Sequence, residues 1–333
     1  MLAIGTSEVH RVLSDAVMVF ETVEWTYLSH GSGESWCPTS SFLTLGDQHG
    51  SRAIALPACV DDELGRIIGV KWVTSFPDNR RTGRPRAQAL VILNDAQTGS
   101  PLAIMDAAEI NLLRTVASAH LVQSKLQDLE ICSSGRLGVI GAGRIARSYA
   151  DFRGRMGVGP ERISVYDSSQ AAAECFRDEM RDCRLDVTVA GSCAEVIRGA
   201  DVVLFATTAP SPHVFDPALF HAGQLVLHLS LRDLSPEVIV RANNVTDDRQ
   251  QAESHGTSLD LTARNGESAI DGTVFELLTD TLKLVPERPT IFSPFGLGVL
   301  DLALAARVYR TVRAGKPGSI DLGSTGPIGL GLS

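Results

Sequence analysis

The chain has 333 residues, 44% of them apolar and 21% charged, with a formal net charge of −9. That length and apolar content support two domains, or one large elaborated domain, around a substantial core. The acidic balance, with no basic block to offset it, argues against nucleic acid or an anionic membrane as a partner.

No stretch of about 18 or more apolar residues occurs, so no membrane span is expected. The start MLAIGTSEVHRVLSD has no basic segment followed by an apolar one, so no signal peptide is expected. The six cysteines (Cys37, Cys59, Cys132, Cys175, Cys183, Cys193) form no CxxC pair, which fits a reducing, cytoplasmic setting. The eight histidines include no HExxH, and no metal site is expected.

In chain order, residues 6 to 28 read as one helix, opened by Thr6 or Ser7 with Glu8 as a first-turn acid. From about 40 to 106 short apolar runs alternate with turn residues: SFLTLGD, RAIALPACV, RIIGVKWVTSF, AQALVILND, PLAIMD. This is the pattern of an antiparallel sheet, with NDAQTG as a hairpin turn. The basic run DNRRTGRPR, from Asp78 to Arg86, reads as a solvated turn between strands. Within RIIGVKWVTSF, Lys71 interrupts a buried-strand pattern. Either its stem snorkels to the solvent face, or its ammonium group points into a dry pocket, where it can hold a carboxylate or move a proton. From Ala107 to about Glu130 the chain reads as a helix without glycine or proline.

A new regime begins at Gly135. The strands RLGVIGAG, RISVYD, DVTVA and DVVLFATT alternate with the helices RIARSYADFRGRM, SSQAAAECFRDEM and CAEVIRG, and GQLVLHLS and NNVTDD continue the series. Strands alternating with short helices predict a doubly wound parallel sheet. A last helix, GVLDLALAARVYRTVRAG, precedes a glycine-rich tail read as frayed.

The segment GVIGAGRIA contains Gly141-x-Gly143-x-x-Ala146 after a strand and at the start of a helix, the setting in which the motif means dinucleotide binding. Gly141 allows the tight turn, Gly143 lets a pyrophosphate approach the helix N-terminus, and Ala146 lets helix and strand pack closely. Arg144 and Ile145 follow in the same turn. Asp167 ends the second strand about 20 residues past the motif, where a carboxylate suits two ribose hydroxyls and repels a 2′-phosphate, so NAD is favoured over NADP. Thr207 and Thr208 close the fourth strand at the carboxyl edge, as cofactor contacts or as ordinary strand-end caps.

GVKW, LNDAQTGSPLAIMDAAEINLLRTVASA, GVIGAGRIA and SPFGLGVLDLALA together resemble the ornithine cyclodeaminase/mu-crystallin family over nearly the whole chain. LHLSLRDLSPEVI and SPFGLGVLDLA most resemble the branch of N-(2-amino-2-carboxyethyl)-L-glutamate synthase-type enzymes, which supply 2,3-diaminopropionate for siderophores and peptide antibiotics. The resemblance implies an α/β architecture of a Rossmann NAD-binding domain, residues 121–295, and a split α+β substrate-binding and dimerising domain, residues 1–120 and 296–333. It implies a homodimer and places Lys71, Arg114 and Asp233 around the nicotinamide. Lys71 and Asp233 are then catalytic, Arg114 clamps a substrate carboxylate, and Thr115 and Gly296 lie by the cofactor. Read from the residues alone, Asp233 is a helix-start acid and Arg114 a surface charge. The implied reaction is NAD-dependent oxidative cleavage of a secondary amine joining glutamate to diaminopropionate. The alternatives are ornithine cyclodeamination, imine reduction and a crystallin-like binding role. The branch further implies basic residues near Ser41-Phe42-Leu43, in the manner of KPFLR. Thr39 to Thr44 carry none, which leaves Arg52 or Arg232 for a second carboxylate, or a smaller, less acidic substrate.

Overall fold

The computed structural model describes residues 1–315 apart from 47–49, 63–64, 134, 160–161, 184 and 267, with only the backbone described at 62, 80 and 81. The glycine-rich tail lies outside the described residues. The chain divides into two compact units: Met1–Ser14, Ser35–Asn111 and the chain from Asp301 in the first, Asp15–Glu34 and Leu112–Leu300 in the second.

In the first unit, strands β1 (Leu2–Ile4), β2 (Ser41–Thr44), β3 (Arg52–Asp62), β4 (Gly65–Ser75), β5 (Ala87–Asp95) and β6 (Pro101–Asp106) form one sheet in the order β1-β6-β5-β4-β3-β2. β2 to β6 run as an antiparallel meander, and β1 joins β6 in parallel. The NDAQTG turn is held by Asp95, whose Oδ1 accepts from the Gln97 and Thr98 amides and from the Thr98 hydroxyl. Such an Asx turn gives the backbone a local partner. Register fixes the faces, because residues directly opposed across antiparallel strands point the same way. Lys71 stands opposite Leu56 and Val91, while Trp72 stands opposite Ala55 and Leu90. Lys71 therefore lies on the buried face with Leu56 and Val91, and Trp72 on the outer one.

The single helix expected over 6 to 28 is two helices, Thr6–Leu13 and Ala16–Gly31. Asp15 breaks the run, because its carboxylate accepts from the Met18 amide and caps the second helix. Gly5 caps the first helix in place of Thr6 or Ser7. Glu8 accepts from the Gly5 amide at 3.2 Å, and Thr6 instead donates its hydroxyl to Asp106 at 2.5 Å.

The second unit holds eight parallel strands: β7 (Arg136–Ile140), β8 (Arg162–Tyr166), β9 (Val187–Val189), β10 (Val202–Phe205), β11 (Leu225–His228), β12 (Asn243–Thr246), β13 (Gly272–Thr273) and β14 (Thr290–Phe292). Their order is β13-β12-β14-β11-β10-β7-β8-β9. VVLF and LVLH are buried throughout, as expected of central strands covered on both faces. The helices Gln170–Asp182 and Cys193–Gly199 start at Ser169 and Ser192, whose side chains accept from the Ala172 and Glu195 amides. Phe205, Val226, Leu234, Ile239 and Ile291 meet in one apolar cluster beneath the sheet. β13 and β14 carry no legible pattern: β14 is three residues between Pro289 and Pro294, yet it inserts between β11 and β12. β7 has β8 on one side and β10 on the other, so strand order reverses there, and ligands of such sheets bind at the carboxyl ends of these strands.

Candidate functional site

The glycine motif sits at that reversal. Gly141 has φ +95°, and a Cβ there would lie 2.7 Å from the Ala206 carbonyl oxygen and 2.9 Å from the Thr207 nitrogen. Only glycine fits, on grounds of conformation and of space. Gly143 caps the helix Arg144–Arg155 with no side-chain hydrogen bond, and a Cβ there would meet nothing within 4 Å. An uncapped helix start facing open space is a cradle for a phosphate. Arg144 is exposed, Ile145 half-buried and Ala146 buried. Asp167 reaches back from the end of β8, where Oδ2 accepts from the Ala142 amide at 2.9 Å and Oδ1 from the Ser169 amide at 2.9 Å. The loop thus fits a dinucleotide. Gly141, Gly143 and the first turn of the helix would hold its pyrophosphate, and Asp167 would meet its ribose.

One strand over, a buried polar cluster forms where β10 and β11 end. Asp233 is fully buried. Its Oδ1 accepts from the Thr207 hydroxyl and lies 3.0 Å from His213 Nε2. Its Oδ2 accepts from the Ser230 hydroxyl and lies 3.2 Å from His228 Nε2. His228 Nδ1 lies 3.2 Å from the Ser293 hydroxyl, and the Asp233 amide approaches His228 Nε2 at 3.1 Å. The His228 tautomer decides which of the two Nε2 contacts is a bond. The turn between Ser230 and Asp233 puts Leu231 at φ +68°, a left-handed conformation that costs a non-glycine residue about 1 kcal/mol or more. Burial by itself would raise the Asp233 carboxyl. Hydrogen bonds from His213 and His228, the His228 charge and the Ser230 hydroxyl outweigh it and hold the carboxyl well below the usual carboxylate range. Thr207 therefore belongs to this cluster, while Thr208 is exposed. Arg232 donates to the His255 carbonyl at 2.7 Å.

Arg114, on the helix Ala108–Asp128, is nearly buried, and a Cβ on Gly296 would lie 2.7 Å from its Nη1 and 2.9 Å from its Nη2. Gly296, at φ +103°, thus makes room for the guanidinium. Its amide and that of Phe295 donate to Asp247, at 2.6 and 2.8 Å. Desolvation raises the Asp247 carboxyl, against those two amides and the Arg114 charge. Thr115, one residue on, is half-buried.

Lys71 belongs to the first unit. It is 1% exposed, and its Nζ lies 2.5 Å from Asp301 Oδ2 and 2.8 Å from Asn111 Oδ1. Of the two readings of this lysine, the inward one holds. Asp301 comes from the helix Gly298–Ala314, which follows SPFGLG.

Sequence reasoning passed over Asp301, Asn111, Asp247, His213 and His228. Asp301 and His228 lay inside quoted motifs, a buried-helix aspartate and a strand-end histidine in apolar runs. Their residue types were a signal, but their partners lie far along the chain. Among the described residues no group of three His, Cys, Asp or Glu side chains is placed to hold a metal ion, and no helix is long and apolar enough to cross a membrane.

A sequence model of the ornithine cyclodeaminase/mu-crystallin family matches residues 9–316. The N-((2S)-2-amino-2-carboxyethyl)-L-glutamate dehydrogenase of Staphylococcus aureus is 23% identical over 328 residues, which cover 93% of this chain and 95% of that protein. Among solved structures, CmnK aligns with a TM-score of 0.86 at 27% identity, over 98% of this chain and 99% of that one. An archaeal alanine dehydrogenase dimer with bound NAD aligns with a TM-score of 0.83 at 26% identity, over 96% and 98%. The dinucleotide cradle, the Rossmann-type sheet and the match along almost the whole chain agree: the protein belongs to the ornithine cyclodeaminase/mu-crystallin family and is a nicotinamide-dependent oxidoreductase of it.

Proposed function

We propose that the enzyme oxidatively cleaves N-(2-amino-2-carboxyethyl)-L-glutamate, or a closely related secondary amine, to 2,3-diaminopropionate and 2-oxoglutarate with NAD. The observation that carries this reading is the Asp233 cluster. Its residues His228, Ser230 and Asp233 all come from HLSLRD, inside the segment that most resembles the diaminopropionate-forming branch, and the relative from Staphylococcus aureus carries that substrate in its name. NAD, when bound, accepts the hydride from the glutamate Cα. In this reading Arg114 clamps the substrate α-carboxylate through its guanidinium fork, and Lys71 polarises the substrate while Asp301 and Asn111 fix its head. The nitrogen gives up a proton, water adds to the resulting imine, and the C–N bond breaks.

A substrate with several carboxylates calls for a second cation. Thr44, where the branch pattern implies a basic residue, stands directly opposite Arg52 on β3, and Arg52 stands opposite Ser75. Arg52 thus shares the Lys71 face, about 13 Å along the strands from it. Its Nε is buried without a hydrogen-bond partner, and desolvation lowers its pKa. These observations support Arg52 as the second carboxylate clamp. Arg232, already bonded to a backbone carbonyl, is the weaker choice.

The opposite face of that sheet supports a homodimer. Leu43, Ile68, Trp72, Leu90 and Ile92 are large apolar side chains exposed together there. Patches of this kind mark interaction surfaces. A second copy is the proposed occupant, as in the alanine dehydrogenase dimer. Trp72→Glu should yield monomers in light scattering.

The test is NADH formation from N-(2-amino-2-carboxyethyl)-L-glutamate with stoichiometric 2-oxoglutarate. Arg52→Gln should raise KM for that substrate roughly tenfold or more, since a lost charged hydrogen bond is worth about 1.5–3 kcal/mol. Proline and ammonia from ornithine, with no NADH from the secondary amine, would replace the reading by cyclodeamination.

A further inference from the structure

His213 carries a role that the motifs do not assign. It sits in the loop after β10, where Pro210 and Pro212 restrict the backbone. The His213 and Val214 amides both donate to the Asp233 carbonyl, at 2.9 and 3.0 Å. Its Nε2 lies 3.0 Å from Asp233 Oδ1, and its side chain is 39% exposed against 0% for Asp233. Asp233 is therefore reached from outside along a histidine, with no exposed oxygen of its own. Both its oxygens are occupied, by Thr207 and His213 on one side and by Ser230 and His228 on the other. Among the described residues, His213 faces the Phe205 ring, with centroids 6.4 Å apart, and the Asp233 carboxylate, which Thr207 and His228 also contact. Cys193, on the neighbouring helix, feels the same carboxylate: burial, then the Asp233 charge, push its thiol up to about 12, so it takes no part.

We propose that His213 is the residue that exchanges protons with the substrate nitrogen, and that Asp233 is a positioning residue acting through it. This rests on the reading of the chain as an amine-oxidising enzyme. Nε2–H donates to Asp233 Oδ1, which leaves the Nδ1 lone pair outside that contact. As hydride leaves the Cα, the amine proton passes to Nδ1, and the imidazolium so formed is stabilised by the carboxylate behind it, the logic of an aspartate–histidine pair. His213 then releases the proton to water. In hydrolysis, water adds its hydroxyl to the imine carbon and a proton to the nitrogen. His213 carries the hydroxyl proton to the departing amine, so that step has no net proton change. The balance is one hydride to NAD and one proton to solvent per C–N bond cleaved. A carboxylate ringed by two hydroxyls and two imidazoles has little proton affinity left. A half-exposed imidazole with one nitrogen on that carboxylate keeps the other for a proton.

The test uses the full chain with His213→Ala and His213→Gln, read as kcat and KM with N-(2-amino-2-carboxyethyl)-L-glutamate and NAD, alongside NAD affinity by protein fluorescence. The expected result is a fall in kcat of about 10²–10⁴-fold, KM and NAD affinity within threefold of wild type, and partial recovery of the alanine variant by added imidazole. A kcat within threefold of wild type overturns the proposal. So does a loss of kcat that tracks lost NAD affinity and that imidazole leaves unrepaired. A second arm needs no substrate: nitrogen-15 NMR of the histidine rings should show His213 as the Nε2–H tautomer in the wild type and a mixture in Asp233→Asn. A dominant Nδ1–H tautomer overturns the proposal. If the wild type is inert toward this amine but binds NAD, the substrate reading fails, and the NMR arm alone decides His213.

Discussion

Among the described residues two aspartates have no exposed surface, Asp301 in the first unit and Asp233 in the second, and they are held in opposite ways. Asp301 faces one full positive charge, Lys71, at 2.5 Å, and Asn111 Oδ1 lies 2.8 Å from the same ammonium group. Asp233 is held by two hydroxyls and two imidazoles, groups that are neutral or conditionally charged. An ion pair in an apolar setting is a lock, because neither charge survives the loss of the other without a large desolvation cost. A carboxylate ringed by small donors is a reservoir of negative potential that neighbouring groups can use without the cluster coming apart. The comparison assigns rigidity to the Lys71 side and proton handling to the Asp233 side.

The sharpest way to break the comparison is to remove the lysine charge. Lys71→Met should abolish turnover and cost about 3–5 kcal/mol of stability, the penalty of leaving a partner charge buried alone. Lys71→Met/Asp301→Leu should recover most of that stability in urea unfolding while staying inactive. If the double variant is as unstable as the single one, the pair is not a lock, and the contrast with Asp233 fails on stability grounds.

The second cluster should answer differently. Asp233→Asn removes a charged acceptor from the cluster of two hydroxyls and two imidazoles and should cost about 2 kcal/mol at neutral pH. The sign of the pH dependence follows from the depressed carboxyl. Such a group contributes stability above the ordinary carboxylate value, about 4, and that contribution is lost as pH falls through its folded value. The gap between wild type and variant in urea unfolding should therefore be full near neutrality and narrow steadily in acid below about pH 4. A gap that widens in acid would mean that Asp233 is protonated in the folded protein at neutral pH.

The sequence reached these two sites unequally, for physical reasons. The Rossmann-type half was legible because its signals are local: an apolar strand, two glycines and a helix start within GVIGAGRIA, then Asp167 one βαβ step later. Lys71 was legible as a question, since a charge within a strand pattern has to be reconciled with one face or the other. Its answer came from Asp301, 230 positions away, and no spacing rule spans that distance. His213 was hidden for a similar reason: it lies in a proline-rich loop with no period, and it becomes significant only once Asp233 is folded against it. The break at Asp15 was readable, because an aspartate one residue after Ser14 is a helix cap, but the apolar pattern on both sides obscured it. β14 gave no signal, being three residues between prolines.

Gly296 sharpens the contrast at smaller cost. The carboxylate of Asp247 is held by the Phe295 and Gly296 amides, and the glycine leaves room for Arg114. Gly296→Ala puts a methyl group into the space of the guanidinium, at a backbone angle disfavoured for alanine. About 1–2 kcal/mol of stability should be lost. KM for the amine substrate should rise more than KM for NAD, since the displaced group is the proposed carboxylate clamp. An equal rise in both would place Arg114 on the cofactor side.

The smallest effect is expected at Asp167, a third way of holding a carboxylate: half-buried, with one backbone amide on each oxygen. Asp167→Ala removes both the ribose acceptor and the repulsion that a 2′-phosphate would meet. The Ala142 amide also loses its acceptor, so the loop loosens and absolute affinity for either dinucleotide should fall. The ratio of affinities isolates the charge, because the loosened loop is common to both measurements. That ratio should move toward NADP by about tenfold, or ~1.4 kcal/mol. The shift should shrink at high salt, since a half-buried charge is partly screened. An unchanged ratio with both affinities reduced would make Asp167 a brace for the nucleotide loop, like Asp247 behind Gly296, and would leave selectivity between the two cofactors to be set elsewhere in the loop.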